Sequence, residues 1–291
     1  MRTCDCLPVK TGGAMVVAYR ATDSVVRGRD GDIAVRDYEP ASLTAPHPFL
    51  WVHGGGFVLG GLDMVESDAP ARYLAARGRR VRTLDYRLAP NPGPIRNPRL
   101  GSHPNRFPAA HHDVLDVAES LRASTGSIDI GGASAGAKLV AGALLSLRDE
   151  GGWMPRAAVL AYGSFHSVLP DNAAVESALR GPLARWMFNP AMARRINLNY
   201  VGSEGGLAEP YAFPGDADLL GFPPTLTIDA TNDRLRRSGH AFHAALVDAG
   251  VAAEEIVLDG RHGFLGSPKK PVFVEGMAAM DTWLARHDSS T

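Results

Sequence analysis

Ile128-Asp129-Ile130-Gly131-Gly132-Ala133-Ser134-Ala135-Gly136-Ala137-Lys138 is the stretch that decides how the rest of the chain is read. A short apolar run, Ile128 to Ile130, enters a cluster of glycine and alanine and leaves as a helical pattern from Ala135 to Arg148. So abrupt a turn brings strand and helix together, and the sequence has glycine at 132 and 136, where side chains would collide. Ser134 then stands at the tip of the turn, beside a helix N-terminus that favours negative charge. As a bare Gly-x-Ser-x-Gly match the segment is weak: about 0.2 such matches arise by chance in a chain of this composition. Its weight comes from the strand, tight turn and helix around it.

Outward from this segment, strand-length runs alternate with amphipathic patterns. Strands are expected at Phe49 to Val52, Arg80 to Leu84, Ile128 to Ile130, Ala157 to Ala161, Thr225 to Ile228 and Glu255 to Leu258. Helices are expected at Ala69 to Ala76, Pro108 to Ser124, Ala135 to Arg148, Gly239 to Ala249 and Val272 to Arg286. Such alternation predicts right-handed parallel crossovers. Nearer the N-terminus, Met15 to Tyr19 and Ile33 to Tyr38 flank a turn containing Gly28 and Asp30-Gly31, which predicts an antiparallel pair at the sheet edge. The expected fold is α/β: a single domain over 1–291 with a mostly parallel sheet of about eight strands and helices on both faces.

Two segments break the alternation. Residues 163–222 separate two expected strands and carry a helical pattern around Ala184 to Asn199, which marks an inserted helical cap. Residues 91–106 contain Pro92, Pro94, Pro98 and Pro104, which forbid a regular helix; this proline-rich loop follows a strand C-terminus and is expected near the mouth of a site.

Composition excludes several function classes. With 30 basic and 31 acidic residues the chain lacks the field that nucleic acid or an anionic membrane requires. No apolar run has spanning length and Met1 to Met15 holds no signal-peptide core, so a cytoplasmic protein without a membrane partner is expected. Cys4 and Cys6 sit too close for a disulfide scaffold. Whether the chain forms a homodimer is left open.

The chemistry is carried by a second glycine-rich turn and two later residues. His53-Gly54-Gly55-Gly56-Phe57 follows another strand, and a chance match to its first four residues is on the order of 0.01 per chain. Backbone amides at Gly54 and Gly55, joined by that of Ala135, are expected to meet a developing oxyanion, with His53 bracing the loop. A serine hydroxyl needs a base. His262 directly follows a strand and enters a loop, whereas His240 and His243 lie on a helical pattern and His287 at the end of the terminal helix. Asp233, on a loop past a strand, is better placed to orient that imidazole than Asp229 at the strand end. Phe57, Trp186 and Phe188 are candidates for lining the substrate space. His111-His112-Asp113 resembles a metal-ligand spacing, as does the pair His240 and His243. Adjacent helical residues diverge by about 100°, however, and neither set is complete, so no metal and no organic cofactor is expected.

These residues resemble the hormone-sensitive-lipase family of carboxylesterases, of the α/β-hydrolase fold, from about Ile33 to the C-terminus. The likeness rests on His53 to Phe57 continuing as Val58-Leu59-Gly60, on Asp85-Tyr86-Arg87-Leu88-Ala89-Pro90, and on Phe107-Pro108-Ala109-Ala110. It extends to Asp233-Arg234-Leu235-Arg236 and His262-Gly263-Phe264. The resemblance implies a triad of Ser134, Asp233 and His262, oxyanion donors at Gly54, Gly55 and Ala135, and hydrolysis of a small or medium ester through an acyl-enzyme. Lactone, amide or thioester cleavage and acyl transfer would use the same triad, and noncatalytic small-molecule receptors share the scaffold. The presence of all three triad residue types favours catalysis. The sequence departs from the family in four places. Strand signals begin near Met15 where cap helices are usual, Asn91 replaces an acid, Ala133 stands where Asp or Thr is common, and Lys138 where Asn is frequent.

Overall fold

The computed structural model describes residues 17–91 and 101–288. Among them are eight strands: β1 (Tyr19–Gly28), β2 (Gly31–Pro40), β3 (Phe49–Val52), β4 (Val81–Leu84), β5 (Asp129–Ala133), β6 (Ala158–Ala161), β7 (Thr225–Asn232) and β8 (Ala253–Arg261). They form one sheet in the order β1-β2-β4-β3-β5-β6-β7-β8. β2 runs antiparallel to both neighbours, and every pair from β4 to β8 is parallel.

The composition of β3 shows why the sheet is layered. All four of its residues are apolar and buried; Phe49 and Trp51 pack on one face, Leu50 and Val52 on the other. A strand apolar on both faces belongs mid-sheet between two helical layers. On the first face lie α1 (Val65–Ala75) and α8 (Pro271–Asp288), whose Leu74, Met277 and Trp283 close the core. On the second lie α2 (Ala109–Thr125), α3 (Ala135–Asp149) and α7 (Arg236–Asp248), contributing Val114, Leu144 and Phe242. Between β6 and β7 the chain makes α4 (Ala173–Ala178), α5 (Gly181–Trp186) and α6 (Pro190–Val201). Among the described residues no helix is long and apolar enough to cross a membrane.

Three elements differ from expectation. The first strand runs Tyr19–Gly28 and not Met15 to Tyr19, of which Met15 and Val16 lie outside the described residues. Its register, Gly28 opposite Gly31, closes a two-residue turn at Arg29-Asp30. As an edge strand with most residues exposed it never needed the alternation that marks a half-buried one. The helical pattern around Ala184 to Asn199 is two helices, because Asn189 caps a new one by accepting from the Met192 N–H and Pro190 takes its first position. Finally, β7 continues four residues past Ile228, which places Asp229 inside the strand. Of the proline-rich loop, 92–100 lie outside the described residues. Its far end is tied to the end of α6: the Gly101 N–H donates to the Gly202 carbonyl at 2.9 Å, and Arg106 donates to the Asn199 carbonyl.

Candidate active site

The C-terminal ends of four parallel strands meet at one point. Past β3 comes His53, past β5 Ser134, past β7 Asp233 and past β8 His262. Open α/β sheets place their sites at this edge, where loops are held by the strands beneath them. At Ser134 the backbone takes φ +53°, a left-handed conformation that a non-glycine residue adopts only when its surroundings enforce it. The enforcement is visible in the packing. A Cβ on Gly132 would lie 2.5 Å from the Gly136 carbonyl carbon, and one on Gly136 would lie 2.2 Å from the Val52 oxygen. Only glycine lets strand and helix approach so closely, and the approach pushes Ser134 out of line.

The structure brings Ser134, His262 and Asp233 into one hydrogen-bonded chain. The Ser134 hydroxyl donates to Nε2 of His262 at 2.9 Å, and Nδ1–H of His262 donates to Oδ2 of Asp233 at 2.6 Å. The other oxygen of Asp233 accepts from the Leu235 N–H at 2.9 Å, so the carboxylate cannot rotate away. Burial opposes charge on His262. The charge of Asp233, its hydrogen bond and the charge of Glu66 together outweigh that and leave its pKa above the usual imidazole value. Asp229 points elsewhere: its carboxyl lies against Gly239 in α7, and neither oxygen has a partner among the described residues. Burial, reinforced by the nearby Asp233, pushes its pKa well up.

The glycine loop corrects the sequence reading of the oxyanion donors. The Gly54 N–H donates to Oε2 of Glu66 at 2.8 Å, so it faces away from the site and Gly54 cannot serve. Gly55 and Gly56 border the cleft beside Ser134. Their amides and that of Ala135 have no acceptor among the described residues. The loop is braced from behind by Tyr86, whose hydroxyl donates to the Gly54 carbonyl at 2.7 Å and whose ring stacks on His53 with centroids 4.4 Å apart. Burial pushes the His53 pKa down to about 4, and Nδ1–H donates to the Gly54 carbonyl. That imidazole is a neutral brace.

Glu66 is the residue that sequence reasoning missed. It is buried, it holds Gly54 with one oxygen, and with the other it accepts from the Tyr162 hydroxyl at 2.7 Å. Tyr162 packs edge-on against the His262 ring, centroids 5.0 Å apart. One carboxylate thus links the glycine loop to the floor beneath the imidazole. Nothing in the sequence marks it beyond an acid near the start of an otherwise ordinary amphipathic helix.

Residues 49–266 match the alpha/beta hydrolase fold family. The chain belongs to that family. The carboxylesterase NlhH of Mycobacterium tuberculosis is 31% identical over 256 residues, which span 84% of this chain and 75% of that one. An acetyl-hydrolase of Streptomyces hygroscopicus is 30% identical over 211 residues, 69% of this chain and 62% of that one. Among solved structures, an esterase of Pyrobaculum calidifontis superposes with a TM-score of 0.79 at 28% identity, covering 92% of this chain and 85% of that one.

In this α/β hydrolase the space around Ser134 divides into two unequal parts. One is an open cleft of about 570 Å³ lined by Gly55, Met64, Val65, His262 and Gly266. The other is a pocket of about 30 Å³ lined by Phe57, Ala135, Lys138, Leu235 and Asn197. Phe188 and Ile196 border both. Phe188 also meets the His262 ring edge-on, centroids 4.5 Å apart, and Phe57 stacks on Tyr200 at 3.9 Å. Trp186 is not brought to the site: the residue is 57% exposed and borders neither space, because α5 turns it outward. The metal-like spacings also separate. His111 is buried against the Ser146 hydroxyl, His112 faces Asp30, and His240 faces Glu255.

Proposed function

We propose that the chain is a carboxylic ester hydrolase in which Ser134 is the nucleophile, His262 the general base and acid, Asp233 the residue that orients it, and the amides of Gly55, Gly56 and Ala135 the oxyanion donors. The observation that carries the reading is the unbroken Ser134–His262–Asp233 chain beside three amides that lack an internal partner. As Ser134 Oγ attacks the ester carbonyl, its proton passes to Nε2 of His262, and Asp233 stabilises the imidazolium that forms. The carbonyl oxygen gains its negative charge where the three amides converge. His262 then gives the proton to the departing alkoxide, leaving an acyl group on Ser134. Water, deprotonated by the same imidazole, releases the acid and restores the hydroxyl.

The two spaces acquire roles from this proton path. Because His262 must reach the leaving oxygen, the alcohol lies in the cleft that His262 lines, and the acyl group lies in the small pocket on the other side of Ser134. A short acyl group on a larger alcohol is therefore the preferred substrate, a reading supported by the acetyl-hydrolase among the relatives. The segment 163–222 acts as the cap, supplying Phe188 and Ile196 to both spaces.

Two measurements test this. A fluorophosphonate probe should label the protein once, at Ser134, and Ser134→Ala should abolish both labelling and turnover. A panel of 4-nitrophenyl esters from acetate to dodecanoate should give kcat/KM falling as the acyl chain lengthens. A protein that does not label, or labels equally well as His262→Ala, would refute the triad.

A further inference from the structure

We propose that Lys138 sets the specificity of the acyl pocket, and that the preferred acyl group is the half-ester of a short dicarboxylic acid whose free carboxylate pairs with the Lys138 ammonium. The proposal rests on the ester-hydrolase reading above and specifies its substrate.

Lys138 follows Ser134 by one helical turn, its amide donating to the Ser134 carbonyl at 3.2 Å. Lys138 lines the wall of the same pocket as the nucleophile. It is 2% exposed. An ammonium has three hydrogens to donate, and here one is used, on Oδ1 of Asn197 at 2.8 Å. The asparagine cannot do more, since its own amide is fixed on the carbonyls of Ser167 at 2.9 Å and His166 at 3.3 Å. Around the rest of the ammonium stand the rings of Phe57 and Phe213, with centroids 5.5 and 4.7 Å away. Among the described residues no carboxylate forms an ion pair with it.

A cation buried without a counter-ion is costly, and a protein keeps one where something compensates it. Holding α6 against α3 does not require it, because a neutral amide would bond to Asn197 without the cost of burying charge. A purely apolar acyl chain would gain nothing from it. A carboxylate on the acyl group supplies the missing partner. Burial holds the Lys138 pKa down to about 7, and an anion arriving beside it favours the charged form. The pocket limits the chain, since its small volume admits only a few atoms past the reacting carbonyl. A malonyl group, with one methylene between carbonyl and carboxylate, meets that limit.

The test compares benzyl hydrogen malonate with benzyl butanoate, which share an alcohol and match in length when a carboxylate oxygen is counted in place of the terminal methyl, by chromatography of released benzyl alcohol from the full-length protein. The malonate should have at least tenfold the kcat/KM of the butanoate, and Lys138→Met should reverse that preference. Free malonate should also inhibit butanoate hydrolysis competitively at concentrations where butanoate ion does not, a readout that needs no variant. Turnover of the butanoate with no malonate preference would overturn the role of Lys138 alone, as would a ratio unchanged in Lys138→Met. A protein that turns over neither ester and takes up no fluorophosphonate would overturn the hydrolase reading and this one with it.

Discussion

The two walls of the site are built differently. On the sheet side each reacting group stands at the end of a parallel strand, and its partners are themselves buried: Asp233 between His262 and the Leu235 amide, Glu66 between Gly54 and Tyr162. On the facing side, α4 and α5 are six residues long and α5 buries none of its residues; α6 joins the main core through Tyr200, while Leu169 and Ala193 make a small separate cluster with Leu235, against which Phe188 packs. Chemistry needs atoms held to within about 0.5 Å, which only packed elements supply. Fit to a substrate tolerates more. The facing wall can therefore vary in stability and sequence while the reaction is kept, since weakly packed segments occupy the low end of local stability.

Substitutions on the sheet side should then cost turnover far more than substitutions opposite. The largest effect short of removing the nucleophile or base is expected from Asp233→Asn, which leaves the packing intact but presents an amide where the imidazole needs a carboxylate. A fall in kcat of about 10⁴-fold is expected. The pH dependence supplies a second check. Only neutral His262 can accept the proton, so kcat/KM for a neutral ester should rise with pH through the His262 pKa, above the ordinary 6.5, and level off beyond it. Asp233 is what raises that pKa against burial, so the residual activity of Asp233→Asn should level off at lower pH than the parent. An unmoved or upward-shifted profile would show that another group carries the coupling.

Glu66→Gln comes next. The substitution keeps the shape but removes the charge, and an amide that still accepts from the Gly54 N–H turns its NH2 toward the Tyr162 hydroxyl, which must then accept where it now donates. A roughly tenfold fall in kcat, about 1.4 kcal/mol, with KM little changed is expected. Steady-state kinetics on one ester separates this from a binding defect, which would raise KM instead.

The same contrast explains what was legible in the sequence. Ser134, Asp233 and His262 each follow a run whose apolar pattern marks a strand, so position in the chain translated directly into position at the sheet edge. The glycine loop was legible as a loop but not in its orientation. Which amide faces outward depends on Glu66, twelve residues later and across a tertiary contact, and so the proposed donor is Gly56 where Gly54 was expected. Opposite the sheet, the local pattern misled. Trp186 and Phe188 are both large, apolar and two apart, but α5 ends at Trp186 and Phe188 takes a left-handed backbone, φ +51°. That reversal turns one ring inward and leaves the other in solvent, and no periodicity of either residue announces it.

The smallest expected effect follows from that pair. Phe188 borders both spaces and touches His262, so Phe188→Ala should open the boundary between them and raise kcat/KM for longer acyl chains relative to acetate by a few fold. Trp186→Ala removes a larger side chain but one that lines neither space. Its relative kcat/KM across the ester panel should stay within about twofold of the parent, and its stability within about 0.5 kcal/mol, as for exposed positions generally. Chain-length profiles of the two variants side by side decide the matter, since both carry the same kind of truncation two residues apart. Should Trp186→Ala change the profile as much as Phe188→Ala, the segment must close over bound substrate and bring Trp186 with it. The division between a rigid reacting wall and a loosely packed wall that only shapes the pocket would then give way to one in which the facing wall moves during turnover.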